Sequence, residues 1–358
     1  MARFLLSRSK ALEQYRAIED LGTISYSFKT NPRVGSLLEE ETDCMFSVHF
    51  QNELKLIKDK KRVWFLAQAL REPLLQNLLA QGVSKFVVEN KEDLDLLLGF
   101  IEKSGYQIEL LLRMKLKENT IKTEKYYVFG MDSGEVNRLL PELKSNKCIS
   151  KLGVHVHRKT QNVSEWDLVR ELGELLTEEN LGLIDYLDIG GGLPVMYKNI
   201  TDKVVPSVIR KIKELKDWLS GKGEGRKGIE LIIEPGRYIS GPSVTLETEI
   251  VGIHGNTIVV DASVYNSSPD TLIVPIKLLV EGEVDPGNAG IGRGTGKPKA
   301  YVIKGITPCS TDLFRYRVYF PEEKEFHIGD KILFENAGAY NFHTEFCELG
   351  KIETVSVE

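Results

Sequence analysis

At 358 residues, 42% of them hydrophobic, the chain is long enough to bury one large core and a smaller second one, so two domains are expected. Its formal net charge of -5, with acids and bases interspersed, leaves no basic stripe to follow a phosphate backbone, and no apolar run is long enough to span a bilayer, so neither nucleic acid nor membrane is an expected partner. The four cysteines, Cys44, Cys148, Cys309 and Cys347, form no Cys-x-x-Cys pair, which points to no zinc or other metal site and no disulfide framework, and makes the cytoplasm the default location.

The first fifteen positions carry Arg3, Arg8, Lys10 and serines in the style of a transit peptide, but their leucines fit the start of a strand and helix, the reading preferred here. From Thr23 onward, short apolar runs alternate with longer segments of helical spacing, the pattern of βα units around a parallel sheet. The runs are 24–28, 45–50, 63–67, 85–88, 108–114, 152–157, 186–189 and 231–233. Helical spacing recurs between them, as over 92–101 and over 165–176, the latter with Ser164 as a candidate cap. Eight such units close a (β/α)8 TIM barrel over about residues 23–240.

A barrel of this kind carries its chemistry just past the carboxyl ends of its strands, with a phosphate site after the seventh and eighth. Lys29 follows the first run, Arg113 closes the fifth and His157 the sixth. Asp188-Ile189-Gly190-Gly191-Gly192-Leu193-Pro194 follows the seventh, and Glu234-Pro235-Gly236-Arg237-Tyr238 the eighth. Singly, each has a plainer reading: a solvated lysine, an ion-paired arginine, a satisfied core histidine, a tight turn. Three consecutive glycines nevertheless expose backbone N–H groups to an anion, and Arg237 nearby suits a charge-assisted contact. A lysine, a phosphate cradle, a carboxylate and a flat histidine at one barrel mouth point to a phosphorylated aldehyde held as a Schiff base, pyridoxal 5'-phosphate. Glu234 opposite the pyridine nitrogen keeps the ring protonated and favours decarboxylation, whereas an arginine there would favour racemisation.

After Arg237 the periodicity changes. Strand-like runs at 244–251, 256–260, 300–304, 331–334 and 352–357, joined by short turns, read as an antiparallel β-sandwich or β-barrel of residues 241–358, completed by 1–22. The Gly-rich stretch 286–297 reads as an exposed loop. Thr307-Pro308-Cys309-Ser310-Thr311-Asp312 sets a thiol and a carboxylate in a turn, and Asn336-Ala337-Gly338-Ala339-Tyr340 sets a tyrosine after small residues. Alone, a core cysteine and a packed tyrosine would be the commoner readings.

Together these motifs resemble the alanine-racemase-fold (fold type III, group IV) pyridoxal-phosphate decarboxylases, which act on ornithine, arginine, diaminopimelate and related amino acids; the likeness spans nearly the whole chain. Ser27-Phe28-Lys29-Thr30-Asn31 is similar to the cofactor-lysine motif, 153–157 to the strand whose histidine stacks on the pyridine ring, 188–194 to the phosphate loop, and 234–237 to the pyridine carboxylate and phosphate arginine. The resemblance implies a head-to-tail homodimer with shared active sites, in which the partner subunit contributes Cys309 to help protonate the α-carbon. It also implies phosphate binding by Tyr340 and Gly236, a substrate-facing Phe346, a cofactor contact at Arg113 and a hydroxyl from Thr160. Departures fall at Arg158-Lys159-Thr160, where Val-Gly-Ser is usual, and at Ser47, where an acid is usual although Glu53 is kept. Ser310 follows Cys309, where ornithine enzymes carry aspartate and diaminopimelate enzymes glutamate; Asp312 is then the candidate for the substrate's distal amino group. Arg158 and Lys159 read either as partners of an additional substrate carboxylate or as solvated charges. The expected activity is carboxy-lysis of a basic L-amino acid or conjugate of the ornithine, arginine, lysine, diaminopimelate or carboxynorspermidine type, giving the amine and carbon dioxide. An amino-acid racemase on the same fold, or a non-catalytic homologue of the antizyme-inhibitor kind, is the alternative.

Overall fold

The computed structural model describes the chain except for residues 67, 117–128, 159–160, 222–227 and 286–296, so Thr160, Lys159 and nearly all of the Gly-rich stretch lie outside the described residues. It divides into two compact units: residues 15–194 with 203–236, and residues 1–14 with 195–202 and 237–358.

Strand β1 (Arg3–Ser7) belongs to the second of these. The first unit is a closed parallel barrel of β2 (Thr23–Ser27), β3 (Met45–Val48), β4 (Val63–Leu66), β5 (Lys85–Val88), β6 (Ile108–Met114), β7 (Ile149–Val156), β8 (Tyr186–Asp188) and β9 (Glu230–Ile233). These runs are rich in β-branched and aromatic residues, and β4 is buried at every position, as a strand covered on both faces must be. Closure is made where Thr23 and Ile24 pair with Ile232 and Ile233. Inside, Trp64, Leu66, Val87, Leu111, Tyr186 and Ile232 form one packed cluster, with Trp64 and Tyr186 edge to face at 5.7 Å. Burying each aliphatic member contributes about 1.5–3 kcal/mol.

The helices between strands end where the sequence changes chemistry. Lys91–Ser104 starts at Asn90, whose side chain accepts the Asp93 N–H, buries Leu94, Leu97 and Ile101, and stops at Gly105 in the left-handed region (φ 73°). The helix predicted over 165–176 is shorter, Leu168–Leu175. Asn162 captures the preceding turn by accepting the N–H groups of Ser164 and Glu165, so Ser164 is not its cap.

The second unit holds β1, β10 (Val244–His254), β11 (Thr257–Val260), β12 (Leu279–Val280), β13 (Lys299–Lys304), β14 (Leu313–Phe320), β15 (Lys331–Glu335) and β16 (Glu353–Val357) in one curled sheet. Most pairings are antiparallel, but β1 runs parallel to β16 and β11 parallel to β13. Among the described residues no helix is long and apolar enough to cross a membrane.

Candidate active site

Lys29 leaves β2 on a single 3-10 turn, Phe28–Thr30, that the chain has little freedom to extend. Asn31 is extended and caps the next helix by accepting the N–H groups of Arg33 and Val34, while Pro32 occupies the first helical turn and fixes its direction. Phe28 and Thr30 are buried on either side, and the Lys29 side chain stands exposed between them. Its Nζ lies 3.3 Å from Nε2 of His49, just past β3.

A buried polar cluster occupies the far ends of β7, β8 and β9. Register makes Arg113, His155 and Asp188 lateral neighbours across β6, β7 and β8, and Glu234 follows β9 directly. The ligand atoms of His155, Asp188 and Glu234 fall within 4.8 Å of one another, all three residues being buried. Glu234 Oε1 accepts the Ser47 hydroxyl at 2.5 Å, and its Oε2 stands 3.5 Å from Nε2 of His155. Burial alone would raise the Glu234 pKa, but His155 and Ser47 outweigh it and hold the carboxyl near 2, ionised at neutral pH. Asp188 shifts oppositely: burial and then the Glu234 charge push its pKa well above the ordinary value, against the Gly190 N–H, which favours the charged form. His157 is stacked on His155, planes 3° apart with centroids at 6.4 Å. Burial, then the Arg113 charge, lower its pKa to about 3, and its Nδ1 accepts the Gly191 N–H at 3.1 Å.

The triple glycine is more committed to the protein itself than its sequence implies. The Gly190 N–H donates to Asp188 Oδ1 at 2.7 Å and the Gly191 N–H to His157, so two of the cradle's donors orient side chains. Gly190 sits at φ +64°, and a Cβ there would lie 2.5 Å from the His157 ring, which no larger residue tolerates. Pro235 closes the loop by accepting the Ser27 N–H at 3.3 Å, joining the end of β2 to the Glu234-Pro235-Gly236 turn.

In the second unit, Arg237 is buried and grips Asp270 with both terminal nitrogens, at 2.5 and 3.1 Å, while donating to the Tyr197 hydroxyl at 2.9 Å. The Tyr340 ring packs 4.9 Å from its guanidinium carbon, and its Nε is buried with no hydrogen-bond partner. Gly338 lets the Tyr340 loop approach, since a side chain there would collide with the Ser240 carbonyl. Cys309 Sγ lies 3.1 Å from the Thr311 hydroxyl and 3.2 Å from that of Tyr265, and these hydroxyls, Thr311 first, draw its pKa down to about 7. Phe346, partly exposed, packs on Tyr265 at 4.6 Å.

Two expectations change. Asp312 does not present its carboxylate to a substrate amine: it is fully buried, and its oxygens accept from the N–H groups of Val264 and Thr307 and from the Thr307 hydroxyl, organising its own loop. Arg158 is buried against Glu171 and Glu165, so it is no solvated charge and its charge is already balanced. Arg113 pairs with Glu89 at 3.1 Å. Sequence reading passed over His49, His155, Tyr197, Tyr265 and Asp270. His155 carried a signal, since its spacing of two from His157 puts both on one strand face; Asp270 and Tyr197 lie in unpatterned segments.

Residues 9–241 match the family described as pyridoxal-dependent decarboxylase, pyridoxal binding domain. Among known relatives, diaminopimelate decarboxylase of Aquifex aeolicus is 28% identical, over 92% of this chain and 79% of its own. Antizyme inhibitor 2 of Xenopus laevis is 22% identical, over 88% and 71%. The crystal structure of lysine/ornithine decarboxylase from Vibrio vulnificus, complexed with putrescine, aligns with a TM-score of 0.78 over 100% of this chain and 94% of that one at 21% identity, a likeness of fold. Pyridoxal phosphate suits the residues present: an amine at a strand end, a buried ionised carboxylate for a ring N–H, a neutral imidazole, and the buried Thr30 hydroxyl left without a partner.

Proposed function

The chain belongs to the pyridoxal-dependent decarboxylases, and from that premise we propose that it releases carbon dioxide from a basic L-amino acid or a diamino conjugate of the ornithine, arginine, lysine, diaminopimelate or carboxynorspermidine type. The observation that carries this reading is the buried, ionised Glu234, clamped by Ser47 and flanked by His155. Bound pyridoxal phosphate supplies an electron sink for the pair left on the α-carbon when carbon dioxide departs.

The chain's own residues then have distinct tasks. Lys29 Nζ carries the covalent attachment. Glu234, buried and ionised, would hold a protonated pyridine nitrogen of that group. His157, held neutral and oriented by Gly191, offers a flat face for the ring. Gly190, Gly191, Gly192 and Gly236 shape the phosphate loop, with Thr160 as a further hydroxyl. Arg237, with Tyr340 against it, is the phosphate arginine: its Asp270 pair fixes the guanidinium and leaves Nε among the donors not yet used. Arg113 acts through its charge, the strongest after burial on His157. Phe346 lines the substrate side, and Cys309 of a partner subunit returns a proton to the α-carbon in a homodimer with shared sites.

Carbon dioxide release by the cofactor-loaded protein, measured across basic, diacidic and carboxylated-polyamine amino acids, tests the reaction and names the substrate. Release from one member supports the reading; α-proton exchange without release would replace it with racemisation, and failure to take up cofactor with a binding-only protein. Lys29→Ala should lower turnover at least about a thousandfold, as loss of a covalent nucleophile does. Mixing Lys29→Ala with Cys309→Ala protein tests the shared site: random reassortment restores up to about one quarter of wild-type activity if sites are shared by two subunits, and none if each chain is self-sufficient.

A further inference from the structure

An ammonium must lose a proton before its nitrogen can attack an aldehyde, and among the described residues His49 lies within reach of a proton on Lys29 Nζ. Its Nε2 is 3.3 Å from Nζ, and its Nδ1 is buried with no hydrogen-bond partner. We propose that His49 is a further catalytic residue, the proton carrier of Lys29: it takes a proton from Nζ when the lysine captures the cofactor's aldehyde and gives it back as water leaves. This rests on the assignment of Lys29 as the attachment point.

The position of His49 follows from the fold. Strand β3 ends at Val48, and the His49 and Phe50 N–H groups both donate to Glu53 Oε2, at 2.9 and 2.8 Å, folding the chain into the short helix Gln51–Leu54. That turn fixes the His49 backbone, and β3 lies beside β2, from whose end Lys29 projects. For Nε2 to accept from Nζ, the imidazole proton must sit on Nδ1.

The groups acting on His49 are Lys29 past β2, Glu234 past β9, Arg113 on β6 and His155 on β7, with Glu53 on its own turn. Burial, then the Lys29 charge, lower its pKa to about 4, with Glu234 opposing. Across the 3.3 Å contact, proton transfer from Nζ to Nε2 moves a positive charge within the pair without adding another. The repulsion from Lys29 is relieved as the transfer occurs, so the imidazole is a better base during the step than at rest.

The step balances. The ammonium gives one proton to His49; the Nζ lone pair forms the bond to the aldehyde carbon; a second Nζ proton makes the aldehyde oxygen a hydroxyl. His49 returns its proton to that hydroxyl, the C–O bond breaks, and one water leaves a protonated C=N linkage. Release of the lysine runs the same path backward.

The test follows capture of pyridoxal phosphate by the full-length apoprotein, in stopped flow and by borohydride trapping at timed intervals, with the modified peptide identified by mass spectrometry. At pH 7, His49→Ala and His49→Gln should both capture about a hundredfold more slowly, the low end of general acid–base effects, while trapping the same final fraction at Lys29. Added imidazole should speed His49→Ala and leave the wild type unchanged. Wild-type rates in both variants, or a full rate in His49→Gln, which keeps an acceptor but carries no proton, would overturn the inference. So would a slow His49→Ala that ignores imidazole. Absence of trapping at Lys29 in the wild type would instead remove the attachment assignment, and the inference with it.

Discussion

At the barrel mouth, Glu234, Asp188 and His155 are buried with His157 half-buried beside them, and their pKa values are moved by burial and by neighbouring charges. In the second unit, Cys309 stands half-exposed in a turn, and its thiol is tuned by two hydroxyls, which outweigh the opposing effect of burial. The two regions reach altered chemistry by different physical means. A buried cluster holds its charges against wide changes of pH and salt because the low dielectric enforces them. A surface thiol poised near neutrality changes its charge readily, which suits a group that must both give and regain a proton.

The largest test of this contrast is Glu234→Gln, which keeps the Ser47 contact geometry but removes the charge. It should lower kcat by roughly 10²–10³-fold, the scale of losing one preorganised electrostatic group, while borohydride trapping at Lys29 persists. Unchanged kcat would mean that the barrel's buried charge is structural.

Acid titration of stability comes next. His157 and His49 have folded pKa values of about 3 and 4 against an ordinary 6.5, so their unfolded forms bind protons first. The stability they contribute is complete above pH 6.5 and is lost as pH falls toward 4 and 3, at roughly 1.4 kcal/mol per pH unit each. Glu234, lowered to about 2 from 4.5, adds a further loss below pH 4.5. Asp188, raised, works in the opposite direction and offsets part of the slope. Urea unfolding between pH 7.5 and 5 should therefore show a shallower decline in His157→Gln than in the wild type; parallel curves would contradict a neutral His157.

Asp312→Asn distinguishes a loop organiser from a substrate contact. Losing acceptors for the Val264 and Thr307 donors should cost about 1–3 kcal/mol in urea unfolding, and KM for a substrate lacking a distal amine should change no differently from KM for one that has it. The smallest effect belongs to Tyr265→Phe, which removes one of two hydroxyls from Cys309. Alkylation of the thiol at pH 7 should slow a few-fold and its pH midpoint should move up, without the salt insensitivity of the barrel cluster.

Much of this was legible in the chain because barrel strands are short apolar runs at regular spacing, and because groups past their ends are forced to one mouth. The Lys29, Glu234 and triple-glycine segments could be read that way. Other parts resist such reading for physical reasons. Strand β14 interleaves Arg315 and Arg317 with buried Phe314 and Val318, an alternation that is faint in sequence beside the more conspicuous Cys309 turn. Arg158 reads as a substrate contact or a solvated charge because local sequence does not reveal that Glu165 and Glu171 meet it once the intervening chain folds back. Likewise, nothing around Asp270 marks it as the partner of an arginine on another segment; that pairing exists only in three dimensions.

Strand β1 has a consequence for the order in which the molecule can assemble. It lies between β10 and β16, with Arg3 opposite both Glu247 and Glu353, so this sheet cannot be completed until synthesis has passed Val357. The barrel needs only residues up to Ile233 to close. During translation the barrel can therefore form while β1 waits with an unpaired edge, and the slow, aggregation-exposed phase of folding should be the docking of β1 and β16, the longest-range pairing in the sheet.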